Sequence, residues 1–190
     1  MLTKLYPMTH TVVRSSHVEL SELEESALDE LADLVLAHHG AAIPVVTSRP
    51  VRGSTHHEVR ESLKAMAEDD SLGFIPPDWE ITFVARADEH VAGVVKLHGQ
   101  RDYCGPDLDI EVMPWFPPHH RNTGTVAVNA MAAMIFEHLA PMLTPIHVRT
   151  VMARDHAQIT ADQVRATESV RLSGVDELAS MIPCDDEGHL

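Results

Sequence analysis

At 190 residues with 44% hydrophobic side chains, the chain can bury one substantial core, and a single domain over residues 1–190 is the expected organisation. A formal charge of −15 opposes docking on phosphate backbones, which depends on Lys and Arg displacing counterions, so no nucleic-acid partner is expected. No apolar run approaches the roughly 20 residues that cross a bilayer, Met1–His10 lacks the build of an export signal, and Cys104 and Cys184 stand apart without ligand spacing; a cytoplasmic protein with reduced thiols, no membrane partner and no structural zinc is expected.

Thr11–Arg14 reads as a short β-branched strand. Ser21 and Glu24 have the spacing of a capping box ahead of an amphipathic helix carrying Leu20, Leu23, Ala27, Leu28, Leu31 and Val35 and ending near Gly40. Residues 41–53, with Pro44 and Pro50 and no clear period, read as a loop, and Thr55 with Glu58 caps a second helix whose apolar face is Val59, Leu63 and Met66. Gly73, Pro76 and Pro77 stop it. Ile81, Phe83 and Ala85 then alternate with Thr82, Val84 and Arg86 in a strand, which Asp88-Glu89-His90 turns into Val91–His98.

Leu108–Phe116 reads as a further strand, with Leu108, Ile110 and Val112 on one face and Asp109, Glu111 and Met113 on the other. A helix over Gly124–Leu139 follows, ended by Pro141 and Pro145; Met131 and Met134 belong to its core face. Ile146–Ala153 is a fifth strand, Thr160 with Gln163 caps a last helix closed by Gly174, and Leu178–Ile182 can add one more strand. The order implies an α/β (α+β) domain with a mixed sheet: hairpin-linked strands first, then a strand-helix-strand crossover. The 14 histidines include the adjacent pairs His38-His39, His56-His57 and His119-His120, whose side chains diverge on a helix or strand, so no metal site is expected.

The informative stretch is Glu111 to Val126, a strand that hands over to a glycine-bearing helix start. Such a junction presents unpaired N–H groups and the positive end of a helix dipole, which together suit an anion such as pyrophosphate. Arg121, Gly124 and Val126 stand where the acetyl-CoA signature of the GNAT acetyltransferases has Gln or Arg, two residues, Gly, one residue, and Gly or Ala. Glu111-Val112-Met113, Trp115-Phe116 and Pro118 resemble the run that ends strand four in the ribosomal-protein N-acetyltransferase branch of that superfamily, and the element order from about Thr11 to Ile182 is similar throughout.

The resemblance implies a GNAT-like, mostly antiparallel sheet flanked by helices and an acetyl-CoA-dependent transfer of acetyl to a small-molecule or peptide amine. Backbone groups at Trp115 and Phe116 would then pair with pantetheine, amides of Asn122, Thr123, Gly124, Thr125 and Val126 would hold pyrophosphate, and Arg121 would add charge. Glu111 would lie beside the acyl-transfer point as general base. His98 is an alternative base, and Trp115 and Phe116 are alternatively core anchors.

The chain departs from the family pattern at several positions. Val126 is β-branched where Gly or Ala permits close approach, and Pro114 lacks an N–H. The last helix offers no tyrosine as general acid, Asp155-His156 replaces an asparagine, and Val175 replaces a phenylalanine. The segment after Gly174 is short for the family's two final strands, and the expectation is that one is missing or supplied by a partner in a homo-oligomer or larger assembly. These departures favour the second reading, a non-catalytic GNAT-like CoA-binding or assembly subunit.

Overall fold

The computed structural model describes residues 11–38, 51, 53–72, 78–101, 108–139, 146–152, 155–159 and 171–173. Among these, β1 (Val12–Arg14), β2 (Glu19–Glu22), β3 (Asp78–Ala87), β4 (His90–Arg101), β5 (Leu108–Trp115), β6 (Ile146–Met152), β7 (Asp155–Ile159) and β8 (Arg171–Ser173) form one sheet. Its order is β7-β6-β5-β4-β3-β2-β1-β8. The pairings are antiparallel except β5–β6, whose connection contains α3 (Arg121–Met134) and a turn of π-helix at Ile135–Leu139. A parallel pair needs such a crossover, so this contact follows from the helix between the two strands.

Each sheet face carries its own apolar cluster. Trp79, Ile81, Phe83, Val95, Leu97, Ile110 and Val112 pack with Ala127, Met131 and Met134 of α3 and with Ile135 of the π-helical turn after it. On the other face Val84, Val94 and Trp115 pack with Leu28 and Leu31 of α1 (Leu28–Ala37) and with Val59, Leu63 and Met66 of α2 (His56–Leu72). Period-two alternation along β3 to β5 is what feeds both clusters at once. Arg60 ties the two helices together through Asp29 (2.8 Å) and Glu25 (3.3 Å), and Glu30 fastens α1 to β4 by accepting from the Val91 N–H at 2.9 Å.

The second capping box is present: Glu58 accepts from the Thr55 N–H (3.1 Å) and Thr55 Oγ1 from the Glu58 N–H (3.3 Å). The first is not. Ser21 and Glu22 lie in β2, where Ser21 pairs with Val12 and with Val84, and Ser21 Oγ accepts from Arg86 at 3.1 Å. Glu24 precedes a 3-10 turn at Glu25–Ala27 without a side-chain cap, and α1 starts only at Leu28. Val18 and Leu20 are the buried residues of this segment, and that alternation marks a strand.

The β3–β4 turn is the two residues Asp88 and Glu89, both at positive φ (51° and 69°), as the twist of a two-residue hairpin demands. At the C-terminal end, Arg171–Ser173 is a strand paired with β1, so the expected closing turn of a last helix at Gly174 is corrected to an edge strand. The remainder of that expected helix and the expected strand Leu178–Ile182 lie outside the described residues. Asp155 and His156 open β7. No helix among the described residues is long and apolar enough to cross a membrane.

Candidate active site

The register aligns one polar row across the sheet: Glu80 of β3 opposes His98 of β4, His98 opposes Glu111 of β5, and Glu111 opposes Arg149 of β6. These residues share the sheet face that carries α1 and α2, but they lie beyond its apolar cluster. His98 Nδ1 is 3.4 Å from Glu111 Oε2, and Arg149 Nη2 is 3.3 Å from Glu111 Oε1 and 3.5 Å from Asp109 Oδ2. One row up, Lys96 pairs with Glu80 at 2.5 Å. His98 is 8% exposed and Lys96 2%, so their charges and dipoles act with little screening by water.

Sequence alternation places Glu111 on this face, and the structure puts the alternative base His98 beside it. The two residues belong to one site. Arg149, Lys96 and Glu80 escaped the sequence reading. For Lys96 and Glu80 the signal was the polar half of the same alternation, since Glu80, Thr82, Lys96 and His98 interleave with Ile81, Phe83 and Leu97.

The β5–β6 ladder ends at Val112 opposite Thr150, although β5 continues to Trp115 and β6 to Met152, which pairs instead with β7. The two strands therefore part beyond Val112. Pro114 sits in the free stretch, where a missing N–H breaks no β5–β6 bond. The chain then passes through a 3-10 turn at Pro118–His120 into α3, and neither segment has a side-chain N-cap. His120 N–H reaches Pro117 O and Arg121 N–H reaches Pro118 O. A helix beginning at Arg121 leaves the Asn122 and Thr123 N–H groups without their own i−4 carbonyl, while its internal pairing begins at Gly124.

A groove of 320 Å³ is lined by Pro114, Phe116, Pro118, Arg121, Gly124 and Thr125, with Val128 and Asn129 at its far end. The other residues named from the motif lie apart from it. Asn122 is exposed, Val126 packs against the α3-side core, and Thr123 borders a separate hollow with Arg14 and Arg86. Trp115 points to the opposite face, where it joins the α1–α2 cluster as a core anchor with its buried Nε1 unpartnered. Phe116 lies between two glycines: a Cβ on Gly93 would come within 2.5 Å of its ring, and one on Gly124 within 2.9 Å.

His38, His119 and His120 gather beside the same helix start, with ring centroids 4.9 and 4.2 Å apart. Burial, reinforced by His119 and His38, holds the His120 imidazole below its ordinary value of 6.5. Among the described residues no group of three or more His, Cys, Asp or Glu could hold a metal ion.

Acetyl-CoA carries a slender pantetheine arm and an anionic pyrophosphate. The parted strand edge, the narrow groove and the uncapped helix start fit these two parts in turn.

No protein-family profile matches the chain. No curated protein matches it either. Among solved structures, RimJ of Mycobacterium smegmatis in complex with CoA-disulfide aligns over 93% of this chain and 97% of its own, at 16% identity and TM-score 0.54. A T. thermophilus protein described as a candidate acetyltransferase aligns over 94% and 96%, at 13% identity and TM-score 0.51. A further candidate acetyltransferase aligns over 77% of this chain and 66% of its own, at 17% identity and TM-score 0.49. The fold of this chain is that of the GNAT acetyltransferases, the fold that the element order and the resemblance of the run from Glu111 to Val126 imply.

Proposed function

We propose that the chain is an N-acetyltransferase that moves an acetyl group from acetyl-CoA to a small-molecule or peptide amine by direct attack. The observation that carries this reading is the place where β5 parts from β6, between the partly buried polar row at Glu111 and an uncapped helix start. The M. smegmatis structure of the same fold holds CoA-disulfide, which agrees with a CoA-type ligand here.

Acetyl-CoA supplies an activated thioester. In this reading the backbone at Trp115 and Phe116 pairs with pantetheine, and the helix start, through the Asn122 and Thr123 N–H groups that no i−4 carbonyl engages and aided by Arg121, holds the pyrophosphate. Glu111 takes a proton from the acceptor ammonium, directly or through one water, and with Arg149 on Oε1 the oxygen that does so is Oε2, which also faces His98. No nucleophilic side chain is required.

Calorimetric titration with acetyl-CoA tests the cofactor half, and absence of binding would overturn the reading. Glu111→Gln tests the chemistry. It should lower turnover on an amine by roughly 100-fold while leaving acetyl-CoA affinity unchanged. A second reading, a CoA-binding module without catalysis, draws on Pro114, on Val126 and on the lack of a tyrosine in the 160–174 segment. It becomes the better one if acetyl-CoA binds and no amine is acetylated.

A further inference from the structure

We infer that His98 and Glu111 form a single two-proton acceptor, in which His98 receives through Glu111 a proton that the carboxylate must discharge before it can take another. The inference rests on the acyl-transfer reading above and adds a second residue to it.

Stoichiometry sets the demand. An ammonium acceptor must lose one proton to expose the lone pair that forms the new C–N bond, and a second when that nitrogen becomes an amide. As the C–S bond breaks, one proton ends on the departing thiolate and one goes to solvent. A lone carboxylate can hold only one of the two at a time. Glu111, with its side chain 18% exposed, has restricted contact with bulk water for unloading in between.

Geometry supplies the second acceptor. His98 Nδ1 lies 3.4 Å from Glu111 Oε2, while Arg149 occupies Oε1 at 3.3 Å and leaves Oε2 to face the imidazole. Neighbouring strands, not loops, fix both side chains, because His98 and Glu111 are directly opposed in the β4–β5 ladder. The charges around His98 also fit an added proton. Facing it are Glu80 from β3, Lys96 from its own strand, and Glu111 from β5, with Arg149 and Asp109 behind Glu111. Glu80, Glu111 and Asp109 set three negative charges against the two of Lys96 and Arg149, so the cluster is one positive charge short.

Since His98 touches Glu111 and not the acceptor, its contribution must vanish when Glu111 is removed. His98→Gln should lower kcat about 10-fold with the KM for acetyl-CoA unchanged, and the double variant His98→Gln/Glu111→Gln should be no slower than Glu111→Gln alone. Multiplying effects would make the residues independent and overturn the proposal. The wild-type chain supplies a readout that does not depend on any variant folding. Its rate on a free α-amino peptide or an alkyl polyamine, measured against the deuterium fraction of the solvent, should curve because Glu111 passes its proton to His98 in the same step in which it takes the acceptor's second proton, and a straight line overturns the proposal. Full activity with unchanged pH dependence in His98→Gln sinks the pair and leaves the acyl-transfer reading standing. Acetyl-CoA binding with no turnover on either amine class sinks both.

Discussion

Gly124 shows how one residue can satisfy a motif for a reason the motif does not contain. In the sequence it reads as the glycine that lets phosphate approach a helix start. In the structure it is buried, and the space a Cβ would need belongs to the Phe116 ring. Gly124→Val should therefore displace Phe116 from the groove, costing about 1–3 kcal/mol of stability as overpacking does, and acetyl-CoA affinity should fall with it. Thermal unfolding together with calorimetry checks this; lost binding at unchanged stability would return the glycine to a purely phosphate role. Glu111 was legible because alternation alone puts it on a face, whereas Arg149 was not, since its place beside Glu111 depends on the register of a parallel pair 38 residues apart in sequence. The histidines at the helix start give a second residue-scale expectation. The His120 value is depressed in the fold, so below about pH 6.5 the unfolded chain binds the proton more readily and stability falls with falling pH. Denaturation midpoints at about pH 7.5 and about pH 5.5 should differ less in His120→Gln than in the wild type.

At the scale of elements, the two capping-box spacings separate what sequence can and cannot decide. Thr55 and Glu58 make the reciprocal bonds of the motif at the head of α2, where nothing else competes for them. Ser21 and Glu24 have the same spacing, yet Leu20 is needed in the core between β1 and β3, and sheet pairing takes the segment. A local signal of about 1 kcal/mol loses to burying a leucine side chain, worth about 1.5–3 kcal/mol. The strands β7 and β8 were missed because five and three residues give too little alternation to stand out from loops. The Glu58 box also carries a pH dependence. Bonds from the Ser54 and Thr55 N–H groups hold its carboxylate below the ordinary 4.5. The stabilisation is thus present above that value and is lost as pH falls through the lower folded value. Acid unfolding followed by helical circular dichroism between about pH 5.5 and about pH 3 should show a shallower approach in Glu58→Gln, which has already lost the charged cap.

Across the whole molecule, the mixed sheet with one parallel contact was legible from the order of elements. A helix between two strands leaves that handedness and pairing little freedom. The net charge has consequences that no single site reveals. A chain of formal charge −15 repels a polyanionic cofactor at long range. In the proposed reading the exposed Arg121 and the α3 start attract it at contact distance. The two act over different lengths: the screening length shrinks from about 30 Å at 0.01 M salt to about 8 Å at 0.15 M, which removes the distant repulsion before it weakens contacts within the groove. Raising salt over that range should therefore speed acetyl-CoA association by about threefold with little change in dissociation, while kcat/KM for a cationic amine should fall by a similar factor as its attraction is screened. Stopped-flow binding and steady-state kinetics at matched pH separate the two. Acetyl-CoA association that slows with added salt would mean that the positive groups near Arg121 govern its approach as well as its final seat.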